Sequence, residues 1–349
     1  MTLQILDPAI LSFTALAFLG GLCAFGAEAP PPASAALTSA HIERISWGEW
    51  SEAYRMTNGS VEVVVVPAVS RILHYGFAGE KNLLWQNASA GGRAPVAGNW
   101  MNYGGSKTWI WPQEDWPART GSGWPPPTDL PTTIANRAEI LDKRTLRLTS
   151  PPLPGHDAVL VRDIRIEEAG TRVLVTSRLQ KTGQNATFAM AAWTVTQMPA
   201  NGSLFARLVA GSRPAHGYRS FPGAAFESVS FEGSDILVAE RQTTASAKIG
   251  MDADLLAWQK DDILFVERSS NVGTPLSAFA VGDPGQLYSH PDGDPTLPVG
   301  VSYIEMELTA PLRTLQSGES SVLETAWELI RLAPADRTRS AVAERLRKM

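Results

Sequence analysis

The 349-residue chain sets 30 Lys and Arg against 35 Asp and Glu, a formal net charge of −5, and this mildly acidic balance argues against a nucleic-acid partner. At this length the chain can bury a substantial core as one large all-β domain or as two ordinary domains. Its one cysteine, Cys23, rules out an internal disulfide and lies in a segment expected to be removed, which leaves no thiolate metal site and no cysteine nucleophile.

From Ala9 to Phe25 the chain is almost wholly apolar, and small residues and then Pro30, Pro31 and Pro32 follow. This pattern resembles a secretory signal over residues 1–27, with cleavage near Ala27, followed by a Pro/Ala-rich linker over residues 28–40. A signal usually opens with Lys or Arg, whereas the only charge before this apolar run is Asp7. An uncleaved N-terminal anchor is the alternative, with the run slightly short of the roughly 20 residues a span needs. The expected localisation is periplasmic or secreted, with no membrane association beyond such an anchor.

Val61–Val66 is a β-branched run entered from Asn58-Gly59 and stopped by Pro67, and Val69–Tyr75 and Asn82–Trp85 follow as short strands. Arg71 is a charge in an otherwise apolar strand. Ala138–Leu148 alternates apolar and charged residues, and Val159–Ile166 and Thr171–Leu179 form a hairpin about Ala169-Gly170. Further strands are expected at Phe188–Gln197, Ser228–Phe231, Ile236–Glu240, Ile263–Arg268, Val301–Thr309 and Ser321–Leu332. No long helical period interrupts them, so residues 41–332 read as one all-β sandwich. Residues 333–349, with Arg and Lys alternating with Asp336 and Glu344, read as a short, solvated helical tail.

Between the early and later strands lies a loop-like stretch, Asn99–Trp124, that holds Trp100, Trp109, Trp111, Trp116 and Trp124 out of 11 tryptophans. A pyranose presents an apolar C–H face and a rim of hydroxyls, so flat indoles beside polar side chains suit a sugar cleft. Trp109, Trp111 and Trp124 are the candidate stacking residues, and Lys107, Gln113 and Glu114 the polar contacts. The competing reading of each indole is core packing.

Three pieces in order resemble the galactose mutarotase-like (aldose 1-epimerase-like) superfamily, in a bacterial branch of unassigned function. They are Met56–Pro67 with Ser70-Arg71-Ile72 and Asn82–Trp85; Tyr103-Gly104-Gly105-Ser106-Lys107-Thr108-Trp109 leading to Pro112-Gln113-Glu114; and Tyr303–Leu308 with Ala310-Pro311-Leu312, Gly318-Glu319-Ser320 and Glu324–Trp327. The resemblance implies a large antiparallel β-supersandwich with a concave carbohydrate-binding face. It also implies a glutamate base and a histidine acid that open a hemiacetal ring.

Glu305 and Glu307, two apart in a strand, share a face and are the candidate bases. None of the five histidines matches the superfamily's histidine motifs; where the acid is expected stand Trp193-Thr194-Val195-Thr196-Gln197. Lys107 and Lys248 are the substitutes to consider, as acids if desolvation lowers their pKa or as partners for a uronic carboxylate. Arg71, Gln197 and Lys248 complete the expected ligand-binding set. No metal or other cofactor is expected, since the spacing in Tyr288–Asp294 does not match a calcium loop. The sequence thus points to an exported carbohydrate-binding protein that takes a small-molecule or oligosaccharide ligand. The alternatives are a sugar-active enzyme, either epimerase-like or a lyase with Tyr103 or Tyr218 as acid, and an envelope interaction module with every tryptophan buried.

Overall fold

β-Branched and aromatic residues alternating with polar ones make strands along most of the chain. Five come first: β1 (His41–Trp47), β2 (Trp50–Thr57), β3 (Val61–Val66), β4 (Arg71–Phe77) and β5 (Ser106–Trp111). After a short helix α1 (Trp116–Thr120), β6 (Arg137–Asp142), β7 (Thr145–Thr149), β8 (Ala158–Ile166) and β9 (Val173–Lys181) run in a second sheet. The chain then passes between the sheets through β10 (Ala189–Pro199), β11 (Ser203–Leu208), β12 (Arg219–Ser220), β13 (Ser228–Glu232), β14 (Ile236–Glu240) and β15 (Ala247–Met251). It finishes with β16 (Ala253–Lys260), β17 (Ile263–Ser269), β18 (Gly285–Ser289), β19 (Tyr303–Thr309), β20 (Arg313–Thr314), β21 (Ser320–Arg331) and helix α2 (Arg339–Arg347).

This computed structural model describes residues 39–96, 100–124, 126, 134–153, 155–183, 188–271, 273–294, 297 and 302–349. The chain divides into units 1–36 and 37–349, and every described residue belongs to the second. The expected signal and nearly all of the linker therefore lie outside the described residues. Among the described residues, no helix is long and apolar enough to cross a membrane.

The first sheet has the order β1-β2-β3-β4-β5-β10-β19-β18-β15-β12, with β20 pairing to β10, and the second β13-β14-β11-β16-β17-β21-β9-β8-β7-β6. Every pair of named strands is antiparallel. The fold is thus the all-β antiparallel supersandwich expected from the sequence. Strands β8 and β9 alternate buried and more exposed positions, the signature of a sheet with one face in the core. Hydrogen bonds tie the layers together: Thr108 to Ser177 at 2.9 Å, and the Ala192 amide to Ser321 Oγ at 3.1 Å. The even-numbered residues of β5 and β10 therefore face the interior, and their odd-numbered neighbours face out.

Two differences from the sequence reading matter for the site. Ser106–Trp111, expected as loop, is a central strand with all six residues buried; covered on both faces, it shows no polar alternation to betray it. Asn82–Trp85 is not a strand, since the Asn82 side chain bonds the Tyr75 and Leu84 amides and the Leu73 and Leu84 carbonyls and replaces a ladder partner. Strands β1, β2, β11, β12, β15, β16, β18 and β20 were not expected from the sequence either.

The C-terminal segment is not simply solvated. Val342, Ala343 and Leu346 of α2 are buried with Phe205, Val238, Leu255 and Val266, forming a second apolar cluster on the outer face of the second sheet.

Candidate functional site

The outer face of the first sheet carries a cavity of about 830 Å³, within the size range of small-molecule sites. Strand register sets its floor. Lys107 on β5 lies opposite Val195 on β10, which lies opposite Glu307 on β19. One row along, Trp109 pairs with Trp193, and on the other side Gln197 pairs with Glu305, Glu305 with Tyr288 and Tyr288 with Lys248. Side chains two apart on each strand thus converge on one face.

The Tyr103-Gly104-Gly105 approach to β5 requires glycine at both positions. Gly104 and Gly105 have φ of +85° and +68°, and a Cβ on them would sit 2.3 Å from the Trp85 carbonyl oxygen and 2.1 Å from that of Ile72. The Gly104 carbonyl in turn accepts a 2.9 Å hydrogen bond from Arg71.

Two ammonium–carboxylate pairs form the polar centre. Lys107 Nζ lies 3.1 Å from Glu305 Oε1, which also accepts from Gln197 Nε2 at 2.7 Å. Both bonds fall on one oxygen, so among the described residues Oε2 has no hydrogen-bond partner, and the carboxyl group lines the cavity. Lys248 Nζ lies 2.7 Å from Glu307 Oε2, and Trp193 Nε1 donates to that same oxygen at 2.8 Å. Lys107 also sits 4.2 Å from the Trp109 ring centroid and Lys248 4.8 Å from that of Trp193, within cation–π range. Burial brings Lys107 down to about 8, with Glu305 opposing the shift. Burial likewise raises Glu307 above the usual carboxylate range, against the attraction of Lys248.

An aromatic wall stands opposite. The His290 ring stacks on Tyr303 at 4.5 Å and 9°. His290 Nδ1 lies 3.2 Å from the Tyr288 hydroxyl, itself 3.0 Å from Ser246, and His290 Nε2 lies 2.8 Å from Asp294. Burial pushes the Tyr288 phenol up to about 12, so it stays protonated and can donate to Nδ1.

Of the residues singled out in the sequence, Lys107, Trp109, Gln113, Trp124, Lys248, Glu305 and Glu307 line this cavity. The others are placed differently. Trp111 is buried, stacks edge-on against Trp193 at 5.2 Å and donates to Asp283, so it supports the wall instead of meeting a ligand. Arg71 is fully buried beneath Trp100 and Tyr103, where burial lowers its pKa to about 10. Gln197 is buried behind Glu305, and Glu114 points to solvent on the short turn before α1. Neither Tyr103 nor Tyr218 lines the cavity; Tyr288 and Tyr303 do.

His290, read from sequence as a surface loop residue, is instead part of the cavity wall. Its spacing of two from Tyr288 at the end of a strand was the available signal. The Asp292 and Asp294 carboxylates of the same segment pair with Arg241 and His290. An envelope module with every tryptophan buried does not describe this chain, because Trp124 is 62% exposed.

No protein-family profile matches the chain, and no curated protein matches it. Among solved structures, it is similar to the YeaD protein of Salmonella typhimurium, provisionally named a mutarotase, with 11% identity, a TM-score of 0.50, and 80% of this chain and 90% of that one covered. It is also similar to the Slr1438 protein of Synechocystis sp. PCC 6803, at 10% identity, TM-score 0.48 and coverage of 80% and 96%. A Klebsiella pneumoniae protein provisionally named an aldose 1-epimerase aligns at 10% identity, TM-score 0.44 and coverage of 89% and 91%. At such identities the likeness is one of fold: the chain has the galactose mutarotase-like sandwich.

Proposed function

We propose that this protein binds a carbohydrate in the cavity on its first sheet. The observation that carries the reading is the meeting, in one cavity, of Trp100, Trp109 and Trp124 with the Glu305 carboxylate, one oxygen of which has no hydrogen-bond partner among the described residues, and with the two lysine–glutamate pairs. A pyranose fits this chemistry through C–H stacking and hydroxyl donation to carboxylate. Export belongs to the same proposal and is supported by the apolar run Ala9–Phe25; recovery of the uncut chain only from the cytosol would overturn that part.

A second reading has its own support. Burial places Lys107 close to neutrality beside Glu305, so the pair can hold an acid and a base at one site, as hemiacetal opening requires. In that reading the ligand is turned over, with Glu305 accepting the anomeric proton and Lys107 protonating the ring oxygen.

Isothermal titration of residues 33–349 with neutral monosaccharides, uronic acids and short oligosaccharides tests the first reading, and NMR exchange spectroscopy of each binder tests the second. Saturable binding that weakens about tenfold or more in Glu305→Gln is expected. Absence of binding across the panel would overturn the carbohydrate reading. Exchange no faster than in buffer would leave a binding protein alone.

A further inference from the structure

A second, smaller cavity of about 320 Å³ lies on the same sheet face, lined by residues that include Trp47, Glu49, Trp50, Asn87 and Tyr103. It adjoins the first. Asn87 lines both, and around it the chain alternates sides: Ser89 and Asn102 face the larger cavity, while Ala88, Ala90 and Tyr103 face the smaller. The single turn Ala88–Ala90, capped by the Asn87 carboxamide, which accepts from the Ser89 amide at 3.1 Å, is therefore a low ridge between two basins.

The small basin has the makings of a sugar subsite. The Trp47 indole is half-buried and standing edge-on to His74 at 6.5 Å, with Trp50 against Tyr103 at 5.9 Å. Two polar groups on its rim are uncommitted: neither the Glu49 carboxylate nor the Tyr103 hydroxyl has a hydrogen-bond partner among the described residues. The wall is also fixed in place. Gly92 has φ +66°, and a Cβ there would lie 2.7 Å from Glu49 Cβ, so the ridge packs directly on the strand turn that carries Glu49.

Resting on the carbohydrate reading above, we propose that the ligand is an oligosaccharide. One unit lies over Glu305 and Trp109, and a further unit crosses the Asn87 ridge to stack on Trp47, with its hydroxyls donating to Glu49 and meeting Tyr103. An indole beside the Glu49 carboxylate suits a neutral pyranose, since a uronic acid would meet Glu49 with like charge.

The test is isothermal titration of gluco-, manno- and galacto-oligosaccharides of one to five units against the wild type, Trp47→Ala, Trp47→Phe and Glu49→Ala, with thermal unfolding as the check on folding. In the linkage series that binds, affinity should rise about tenfold as the chain lengthens past the first cavity. That rise should vanish in Trp47→Ala and survive in part in Trp47→Phe, with monosaccharide affinity unchanged in both. Glu49→Ala keeps the Cβ that Gly92 packs on and should also shrink the rise, so the proposal stays testable if Trp47→Ala fails to fold. Affinity independent of length, or a full rise in folded Trp47→Ala and Glu49→Ala alike, overturns the second subsite while leaving the first intact. Failure of every sugar at every length overturns the carbohydrate reading itself.

Discussion

Lys107 illustrates how one side chain couples stability to the site. Its ammonium is buried, and Glu305 and the Trp109 face are what hold its charge. In Lys107→Met the Glu305 carboxylate keeps Gln197 as its one partner among the described residues, and an ion pair broken on one side leaves a charge that water must reach. The expected cost is about 3 kcal/mol at pH 6, where the Lys107 ammonium is charged. At pH 9 the loss should be smaller, because burial brings the wild-type Lys107 ammonium down to about 8 and it has then given up its own charge. Urea unfolding of wild type and variant at the two pH values measures the difference. An equal loss at both would mean that the charge on Lys107 is not what the site relies on.

At the scale of elements, α2 acts as a clamp on the second sheet. Leu346 is fully buried among Phe205, Leu255 and Val266, so Leu346→Ala should cost about 2–4 kcal/mol in urea unfolding. Arg339→Ala removes only a solvent-exposed pair with Glu240 and should cost less than about 1 kcal/mol. Equal costs would show that the apolar seat is not what holds the helix. The same elements show what the sequence reveals and what it hides. Val61–Val66 and Ile236–Glu240 were legible to the residue because β-branched runs bounded by turn residues have few other fates. β5 was hidden because a strand covered on both faces loses its alternation, and its tryptophans drew attention as ligands when half of them are structure. That Glu305 and Glu307 share a face of β19 followed from their spacing of two, once the resemblance had pointed to a glutamate. The Lys107–Glu305 and Lys248–Glu307 pairs were not legible, since cross-strand register between residues 198 and 59 apart decides them.

The whole molecule carries charge in its interior. Arg162 reaches the Ser70 and Ser106 carbonyls at 3.2 and 3.4 Å, and fully buried Glu267 lies near Thr196, Thr325 and Trp327. Burial pushes Glu267 from its ordinary 4.5 up to about 7. Between those values the native state holds a proton the unfolded chain has released. This contribution to stability is fully present below about pH 4.5 and lost as pH rises through about 7. Its size is up to about 3 kcal/mol. Glu307 shifts in the same direction, so the difference between wild type and Glu267→Gln isolates the effect. Urea unfolding from pH 4 to 8 should show wild-type stability falling relative to the variant as pH rises, and parallel curves would overturn the assignment.

The indoles beneath the cavity have an optical consequence. Trp193 lies 5.4 Å from Trp109 and 5.2 Å from Trp111, Trp109 lies 5.5 Å from Trp116, and a further step of 5.8 Å reaches Trp100, 6.0 Å from exposed Trp124. At such separations the transition dipoles of neighbouring rings couple, so their near-ultraviolet circular dichroism belongs to the array and not to single residues. Trp193, Trp109, Trp100 and Trp124 also line the cavity. The chain therefore contains its own exciton reporter, in which an occupant touching one ring changes the spectrum of the whole array.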